Sequence, residues 1–249
     1  MSTPRREVLV TGGGRGIGRA IALRFAEDGA RVFLNFFVNR EAAEKTARDV
    51  ELRGGVAHVL QADVKDPAEV RRMFAEVRQA TSRLDVLVCS AASGVLRDAM
   101  TLTSKHWDWV LATNARPLLL GAQEAAAFMT EGGRVIALSS LGSHRVIPGY
   151  AAVGVSKAAL ESLTRYLAVE LAPRGITVNT VCAGAIDTDI WRAIPDGEAL
   201  LAAARARTPG GKLVTAEAVA DAVFFLASPA AQAIQGQTLV VDAGYSLLA

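Results

Sequence analysis

Tyr150 and Lys157 are a tyrosine and a lysine whose spacing could support proton donation. Seven residues make about two turns of an α-helix, so the two side chains share one face. A lysine charge beside a tyrosine lowers the phenol pKa from its usual value of about 10 toward a working value. Tyr166 falls on the opposite helical face from Lys157. The spacing therefore allows Tyr150 and Lys157 to act together.

A glycine-rich segment, Thr11–Gly18, lies between the first apolar run and a helical pattern, with the spacing G-x3-G-x-G. Glycines let the backbone turn sharply and approach a pyrophosphate, which the N-terminus of a helix attracts. Any tight strand–helix connection can use glycine, but the place of this segment in the first βαβ unit favours a nucleotide cofactor. The expected contact residues are Gly12, Gly14, Arg15, Gly16, Ile17 and Gly18.

The residue that ends the second strand usually distinguishes the two nicotinamide cofactors, because an acid there binds a ribose hydroxyl and repels a 2′-phosphate. Here that residue is the neutral Asn35, and Arg15 and Arg40 can supply positive charge. Both arginines could also be solvated surface residues, but without the acid NADPH is favoured. Asp63 and Val64 follow the third strand, where Asp63 could meet the adenine ring or cap the next helix.

Apolar runs of strand length alternate with helical patterns along the whole chain. Such runs are typical of a parallel sheet that helices cover on both faces. We predict one α/β domain over residues 1–249, a three-layer, doubly wound Rossmann-type sheet of about seven parallel strands, with a substrate lid at about 187–213. The longest predicted helices run over about 104–129 and about 151–171. Ligands bind such sheets at the carboxyl ends of the strands.

Composition excludes several classes of protein. The formal net charge of +2 argues against a nucleic-acid partner, and no stretch approaches the roughly 20 apolar residues of a membrane span. Met1–Glu7 is polar and leads into a strand, so we expect no secretory signal and a cytoplasmic protein. We predict reduced, buried thiols for the two cysteines, and no metal site because the three histidines are scattered.

The motifs together resemble the short-chain dehydrogenase/reductase family, and the resemblance covers essentially the whole chain. Most of that family carries a catalytic Tyr-x3-Lys, but four residues before Lys157 lies Val153, which has no proton to donate. The Tyr-x6-Lys of Tyr150 and Lys157 resembles the family's enoyl-acyl-carrier-protein reductases, which implies that these two residues are the catalytic pair. The closest resemblance is to the NADPH-dependent bacterial branch that keeps the ordinary glycine loop. It is carried by the segments 91–97, 106–109, 153–157 and 184–189.

The resemblance implies roles for further residues. Lys157 would hold the nicotinamide ribose, Ser140 matches the family's catalytic serine, and Asn114 matches the asparagine that orders a water relay. A polar core residue that breaks a helix is the other interpretation of Asn114. Cofactor contacts are also expected at Ser90, Ala91, Gly184, Ile186 and Thr188, and substrate contacts at Ser93, Leu96, Tyr150 and Trp191. A homotetramer is expected by analogy.

The leading hypothesis is NADPH-dependent reduction of the carbon–carbon double bond of a 2-enoyl thioester, carried on acyl carrier protein or coenzyme A. In that reaction hydride goes to the β-carbon and charge builds on the thioester oxygen three bonds away. A tyrosine that donates to this oxygen could need a different position from one that serves ketone reduction. The first alternative is a ketoreductase acting on a 3-oxoacyl or polyketide-type carbonyl. The second is a cofactor-sensing binding protein without turnover, which the complete set of Asn114, Ser140, Tyr150 and Lys157 disfavours.

Overall fold

The structure, a computed structural model, describes residues 5–130, 132–187 and 196–248. Seven parallel strands in this part of the chain form one sheet in the order β3-β2-β1-β4-β5-β6-β7. The strands are β1 Glu7–Thr11, β2 Arg31–Phe36, β3 Val56–Gln61, β4 Val86–Cys89, β5 Arg134–Ser140, β6 Thr177–Ala183 and β7 Thr238–Val241. The predicted single-domain, doubly wound sheet is confirmed.

Helices cover both faces of this sheet, as the near-continuous apolar strands predict. One core lies between the sheet and α1, α2 and α8, and the other between the sheet and α3, α5 and α6. The helices are α1 Gly16–Ala26, α2 Arg40–Leu52, α3 Pro67–Ala80, α4 Ser104–Asn114, α5 Arg116–Ala126, α6 Ala151–Leu171, α7 Gly197–Arg207 and α8 Ala216–Leu226. None of the helices in the described residues is long and apolar enough to cross a membrane.

Local sequence signals set several helix starts. The side chain of Asp66 accepts hydrogen bonds from the backbone N–H groups of Ala68 and Glu69, and Pro67 occupies the first turn of α3. Thr215 caps α8 by accepting from Ala218 N. Asp63 does not cap α3; its carboxylate accepts from Lys65 N and pairs with the Lys65 ammonium. Asp66 takes the capping role because it directly precedes the helix.

The helix predicted over about 104–129 is wrong as one element. The structure divides it into α4 and α5, which meet at Ala115, and α5 ends at Ala126. Pro117 lies in the first turn of α5 and has no backbone N–H to continue the hydrogen bonding of α4. The break leaves Asn114 buried at the end of α4, facing the carboxyl edge of the sheet.

The order of the strands reverses between β1 and β4, and this is where such sheets bind ligands. Gly18, in the first turn of α1, sits so close to the start of the glycine loop that an added Cβ would lie 2.3 Å from Gly12 O. The packing of α1 against the end of β1 therefore requires a residue without a side chain at position 18.

Replacing Gly18 by Ala is expected to lower the free energy of unfolding by about 3 kcal/mol, because the backbone of Gly12 has to move. Gly29→Ala is the matched control: Gly29 has φ +72° but open space around it, so only backbone strain of about 1 kcal/mol is expected. Urea unfolding of both variants measures the difference. Equal losses of stability would contradict the close approach of Gly18 to Gly12.

Candidate active site

The switch point between β1 and β4 is closed by a threonine that the sequence analysis did not assign to the site. Thr11, the last residue of β1, accepts hydrogen bonds at Oγ1 from Ser90 N (3.0 Å) and Ala91 N (3.1 Å). A Cβ on Gly12 would lie 2.9 Å from Ala91 Cα. Ser90 and Ala91 therefore lie directly beside the glycine loop, where both were predicted. The sequence signal that could have identified Thr11 as a site residue is its hydroxyl group between the apolar strand and the first glycine.

The glycine loop has the features of an anion-binding turn. Gly12 and Gly16 adopt positive φ values of +66° and +54°, and Gly14 packs against Ala43, to whose backbone N an added Cβ would lie 3.2 Å away. Arg15 precedes α1 with no side-chain cap, so the first N–H groups of that helix face the loop. The residues present can therefore cradle the pyrophosphate of a nicotinamide cofactor.

The end of the second strand differs from the prediction by one residue. β2 continues through Phe36, so Asn35 is not its last residue. The Asn35 side chain is buried: its Oδ1 accepts from Gly12 N at 3.3 Å, and its Nδ2 donates to Ala62 O at 3.0 Å. Because these bonds occupy the amide, Asn35 braces the glycine loop, and Phe36 takes the end position. The residue there is still not acidic.

Two arginines lie near that end of β2. The guanidinium of Arg40 stands 5.2 Å from the centre of the Phe36 ring and donates to Gln61 Oε1 at 3.3 Å. Arg15 is exposed and forms no ion pair with another residue in the described ranges. Val64 is buried directly after Asp63, beyond β3. Arg40 also pairs with Glu44 at 3.5 Å, so of the two only Arg15 is without an ion pair among the described residues.

Tyr150 occupies the position just before α6, as predicted, and contacts the end of β5. Its hydroxyl forms a 3.3 Å hydrogen bond with Ser140 Oγ, which also accepts from Gly142 N at 3.2 Å. A Cβ on Gly142 would lie 2.5 Å from Tyr150 Cδ1, so the ring packs on a residue without a side chain. Ser140 and Tyr150 therefore present two adjacent hydroxyl groups at the carboxyl edge of the sheet.

Lys157 is buried below this pair, and its Nζ donates to Leu138 O at 2.7 Å. Burial lowers the pKa of Lys157 to about 8. The expectation of a lowered Tyr150 pKa is wrong: burial raises it, and this outweighs the lowering effect of the hydrogen bond from Ser140. The Lys157 ammonium does not lower the pKa of Tyr150, because it is hydrogen-bonded to Leu138 O of the strand.

Asn114 joins three parts of the site. Its Oδ1 accepts from Ser93 N at 2.9 Å, and its Nδ2 donates to Ser156 Oγ at 2.9 Å. Ser156, which the sequence analysis missed, donates in turn to Val153 O at 2.6 Å. These contacts give Asn114 a bracing role between the loop after β4 and α6, while its predicted role in a water relay stays a prediction. The signal for Ser156 was a serine next to Lys157.

The remaining predicted residues surround the same edge. Gly184 packs on Asp242, to whose Cβ an added methyl would lie 2.8 Å away, and Ile186 pairs as an isolated bridge with Val214. Leu96 is half exposed, and the neighbouring Arg97 N donates to Gly149 O at 2.7 Å, beside Tyr150. Residues 188–195 of the predicted lid, including Thr188 and Trp191, lie outside the described residues.

Comparisons with known proteins agree with this geometry. The family model described as enoyl-(acyl carrier protein) reductase matches residues 12–246. The chain is 44% identical to 1-cyclohexenylcarbonyl-CoA reductase of Streptomyces collinus, over 98% of this chain and 89% of that protein. It is 36% identical to versicolorin reductase 1 of Aspergillus parasiticus, over 95% of this chain and 94% of that protein. A short-chain dehydrogenase from Burkholderia cenocepacia, solved in complex with NADP, superimposes with a TM-score of 0.89 at 38% identity, over 97% and 98%.

The lowered pKa of Lys157 predicts a change of stability with pH. The unfolded chain keeps this lysine protonated to about pH 10, whereas the folded chain releases the proton near pH 8. From pH 7 to 9 the unfolded state therefore binds more protons, and the free energy of unfolding should rise by about 1 kcal/mol from this group. Lys157→Met should lack that rise in urea unfolding at the two pH values. A variant that follows the unmodified protein in parallel would contradict the assignment.

Proposed function

The chain belongs to the short-chain dehydrogenase/reductase family of oxidoreductases, and from that premise we propose that it reduces the carbon–carbon double bond of a 2-enoyl thioester with NADPH. The observation that carries the proposal is the position of Tyr150. It stands two helical turns before Lys157, immediately ahead of α6, and is hydrogen-bonded to Ser140. The matching family model and the name of the Streptomyces collinus relative support a thioester substrate.

A bound nicotinamide cofactor would supply the hydride for the β-carbon. Tyr150 is placed to face the developing charge, and its protonated phenol, whose pKa burial raises, donates a hydrogen bond to the thioester oxygen. The Ser140 hydroxyl donates to Tyr150 Oη at 3.3 Å and so holds the phenol in place, which leaves the phenol proton for the thioester oxygen. A proton taken from solvent at the α-carbon of the enolate completes the saturated thioester.

Other residues of the site would bind and orient. The N-terminus of α1 and the glycine loop hold the pyrophosphate, and Lys157 holds the nicotinamide ribose through its ammonium. Gly184, Ile186 and Thr188 remain predicted contacts of the nicotinamide carboxamide, as Ser93, Leu96 and Trp191 remain predicted contacts of the substrate. Coenzyme A is the proposed carrier, following the named substrate of the relative, and acyl carrier protein is the other candidate.

Two further proposals concern the setting of the enzyme. A homotetramer stays a prediction; the half-exposed apolar side chains of Trp107 and Trp109 on α4 and the exposed Tyr166 and Val169 on α6 would be covered by subunits paired along these helices. A substrate lid at about 187–213 also stays a prediction, with α7 as its described helix. The bridge between Ile186 and Val214 ties its two ends together.

A ketoreductase is the second candidate function. The adjacent hydroxyl groups of Ser140 and Tyr150 could equally hold the oxygen of a ketone, and versicolorin reductase 1 is among the similar proteins. The two reactions differ in the atom that receives hydride: the carbonyl carbon in one, the β-carbon in the other. Product analysis therefore separates them.

Purified protein should oxidise NADPH with crotonyl-CoA and with 1-cyclohexenylcarbonyl-CoA, giving saturated thioesters identified by mass spectrometry. Tyr150→Phe should lower turnover by about 10²-fold or more while leaving NADPH affinity unchanged, because only the donor to the thioester oxygen is lost. Tyr166→Phe, at an exposed position of α6, is the matched control and should retain full turnover.

Reduction of a 3-oxoacyl thioester together with no consumption of either enoyl thioester would overturn the proposal in favour of the ketoreductase. Cofactor binding without turnover of any of these substrates would leave the binding protein as the function.

The cofactor preference has a separate test. Removing both Arg15 and Arg40 by substitution with Ala should weaken NADPH binding by about tenfold or more, as lost contacts to a charged group do, without changing the affinity for NADH. Arg53→Ala, an exposed arginine that pairs with Glu27, is the matched control. Isothermal titration of each cofactor measures the affinities. A loss shared by NADPH and NADH would speak against a 2′-phosphate contact.

A further inference from the structure

Three potential metal ligands from three different elements meet beside the carboxyl ends of β5 and β6. A ring nitrogen of His144, a carboxylate oxygen of Glu161 and the sulfur of Cys182 all lie within 4.8 Å of one another. Within residues 5–130, 132–187 and 196–248, this is the one group of three or more His, Cys, Asp or Glu residues placed in this way. None of the reaction steps above uses these side chains.

The surrounding residues orient two of the three side chains. Ser139, which pairs with Cys182 across β5 and β6, donates from its hydroxyl to one oxygen of Glu161. Ser143 Oγ lies 3.0 Å from His144 Nδ1 and so restrains the orientation of the ring. Ligands held by a second layer of hydrogen bonds in this manner are characteristic of metal sites.

The chemistry of the three atoms selects a class of ion. One thiol, one imidazole and one carboxylate form the mixed sulfur, nitrogen and oxygen set that Zn²⁺ and Co²⁺ accept in tetrahedral geometry. Hard cations such as Mg²⁺ and Ca²⁺ prefer oxygen ligands only. A solvent molecule would supply the fourth ligand.

Access and charge also suit a cation. His144 is exposed, Glu161 is partly buried and Cys182 is fully buried, so an ion can enter from solvent at the histidine and reach the sulfur. The charged groups that act on the Cys182 thiol are Glu161, Asp242 and Lys157, two negative and one positive. The local balance therefore favours a positive ion even before the thiol is deprotonated.

We propose that His144, Glu161 and Cys182 form a binding site for one thiophilic divalent cation of the zinc class. Binding exchanges the thiol proton of Cys182 for the metal: the sulfur–metal bond forms, the sulfur–hydrogen bond breaks, and the proton passes to solvent. The thiol is buried, and a thiolate is the form that binds such an ion, so one proton leaves for each ion bound.

This site adjoins the catalytic pair but has its own ligands. Ser139 donates to Glu161, whereas the next residue, Ser140, bonds to Tyr150. Cys182 is close enough to Tyr150 and Lys157 to act on the charge of both groups. Binding of the cation can be measured without any turnover.

The test uses the full-length protein, freed of metal by chelation and carrying no polyhistidine tag. Titration with CoCl₂ should give one equivalent of bound Co²⁺ with a sulfur-to-cobalt charge-transfer absorption, release about one proton at pH 7, and reverse on addition of ZnCl₂. His144→Ala should weaken Co²⁺ binding by at least about tenfold, and Cys182→Ser should abolish the charge-transfer band. His58→Ala and Cys89→Ser, an exposed histidine and a buried cysteine outside the group, should bind as the unmodified protein does.

Three results would overturn the proposal: no Co²⁺ binding, binding without the thiolate band, or equal affinity in His144→Ala and the unmodified protein. His144 is exposed, so its substitution leaves the core intact and remains decisive even if Cys182→Ser fails to fold.

Discussion

A buried ammonium group, that of Lys157, is the constraint on which the rest of the site depends. A charged group taken out of water costs several kcal/mol unless it is hydrogen-bonded, and here Leu138 O accepts from Nζ at 2.7 Å. That bond ties α6 to the end of β5 in one register. The close fit of Gly154 to the same region, where an added Cβ would lie 2.5 Å from Gly142 O, prevents the helix from shifting. The position of Tyr150, two turns earlier, is set by this contact.

The same constraint explains why the loops around the site are built from small and polar residues. Gly142 has to leave room for the Tyr150 ring, and Asn114 places a polar side chain at the point where α4 ends. Its amide reaches both the loop after β4 and Ser156, next to the buried lysine. A polar network of this kind, once satisfied, holds the loop and the helix in one arrangement. Changes to these supporting residues should therefore be felt at Tyr150, although none of them contacts the proposed reacting atoms.

Much of this arrangement could be predicted from the sequence because it depends on local patterns. The apolar periodicity of the strands, the glycine loop, the bounds of α6 and the place of Tyr150 ahead of it all follow from short segments. The break at Pro117 and the extension of β2 through Phe36 were missed, since a helical pattern continues across the proline and Asn35 resembles a strand end. The grouping of His144, Glu161 and Cys182 could not be predicted, because strand pairing and helix packing bring together residues far apart in the chain.

The pKa of Tyr150 shows most clearly what the packing adds to the motif. Spacing alone suggests that the lysine acidifies the phenol, but the ammonium faces Leu138 O, and burial raises the pKa of Tyr150. For a group that works as a base this would be a disadvantage, since the phenolate would be scarce at neutral pH. Reduction needs no phenolate, because charge develops on the substrate oxygen and the protonated phenol donates a hydrogen bond to it. The buried environment that holds Lys157 in place is thus compatible with the direction of reduction.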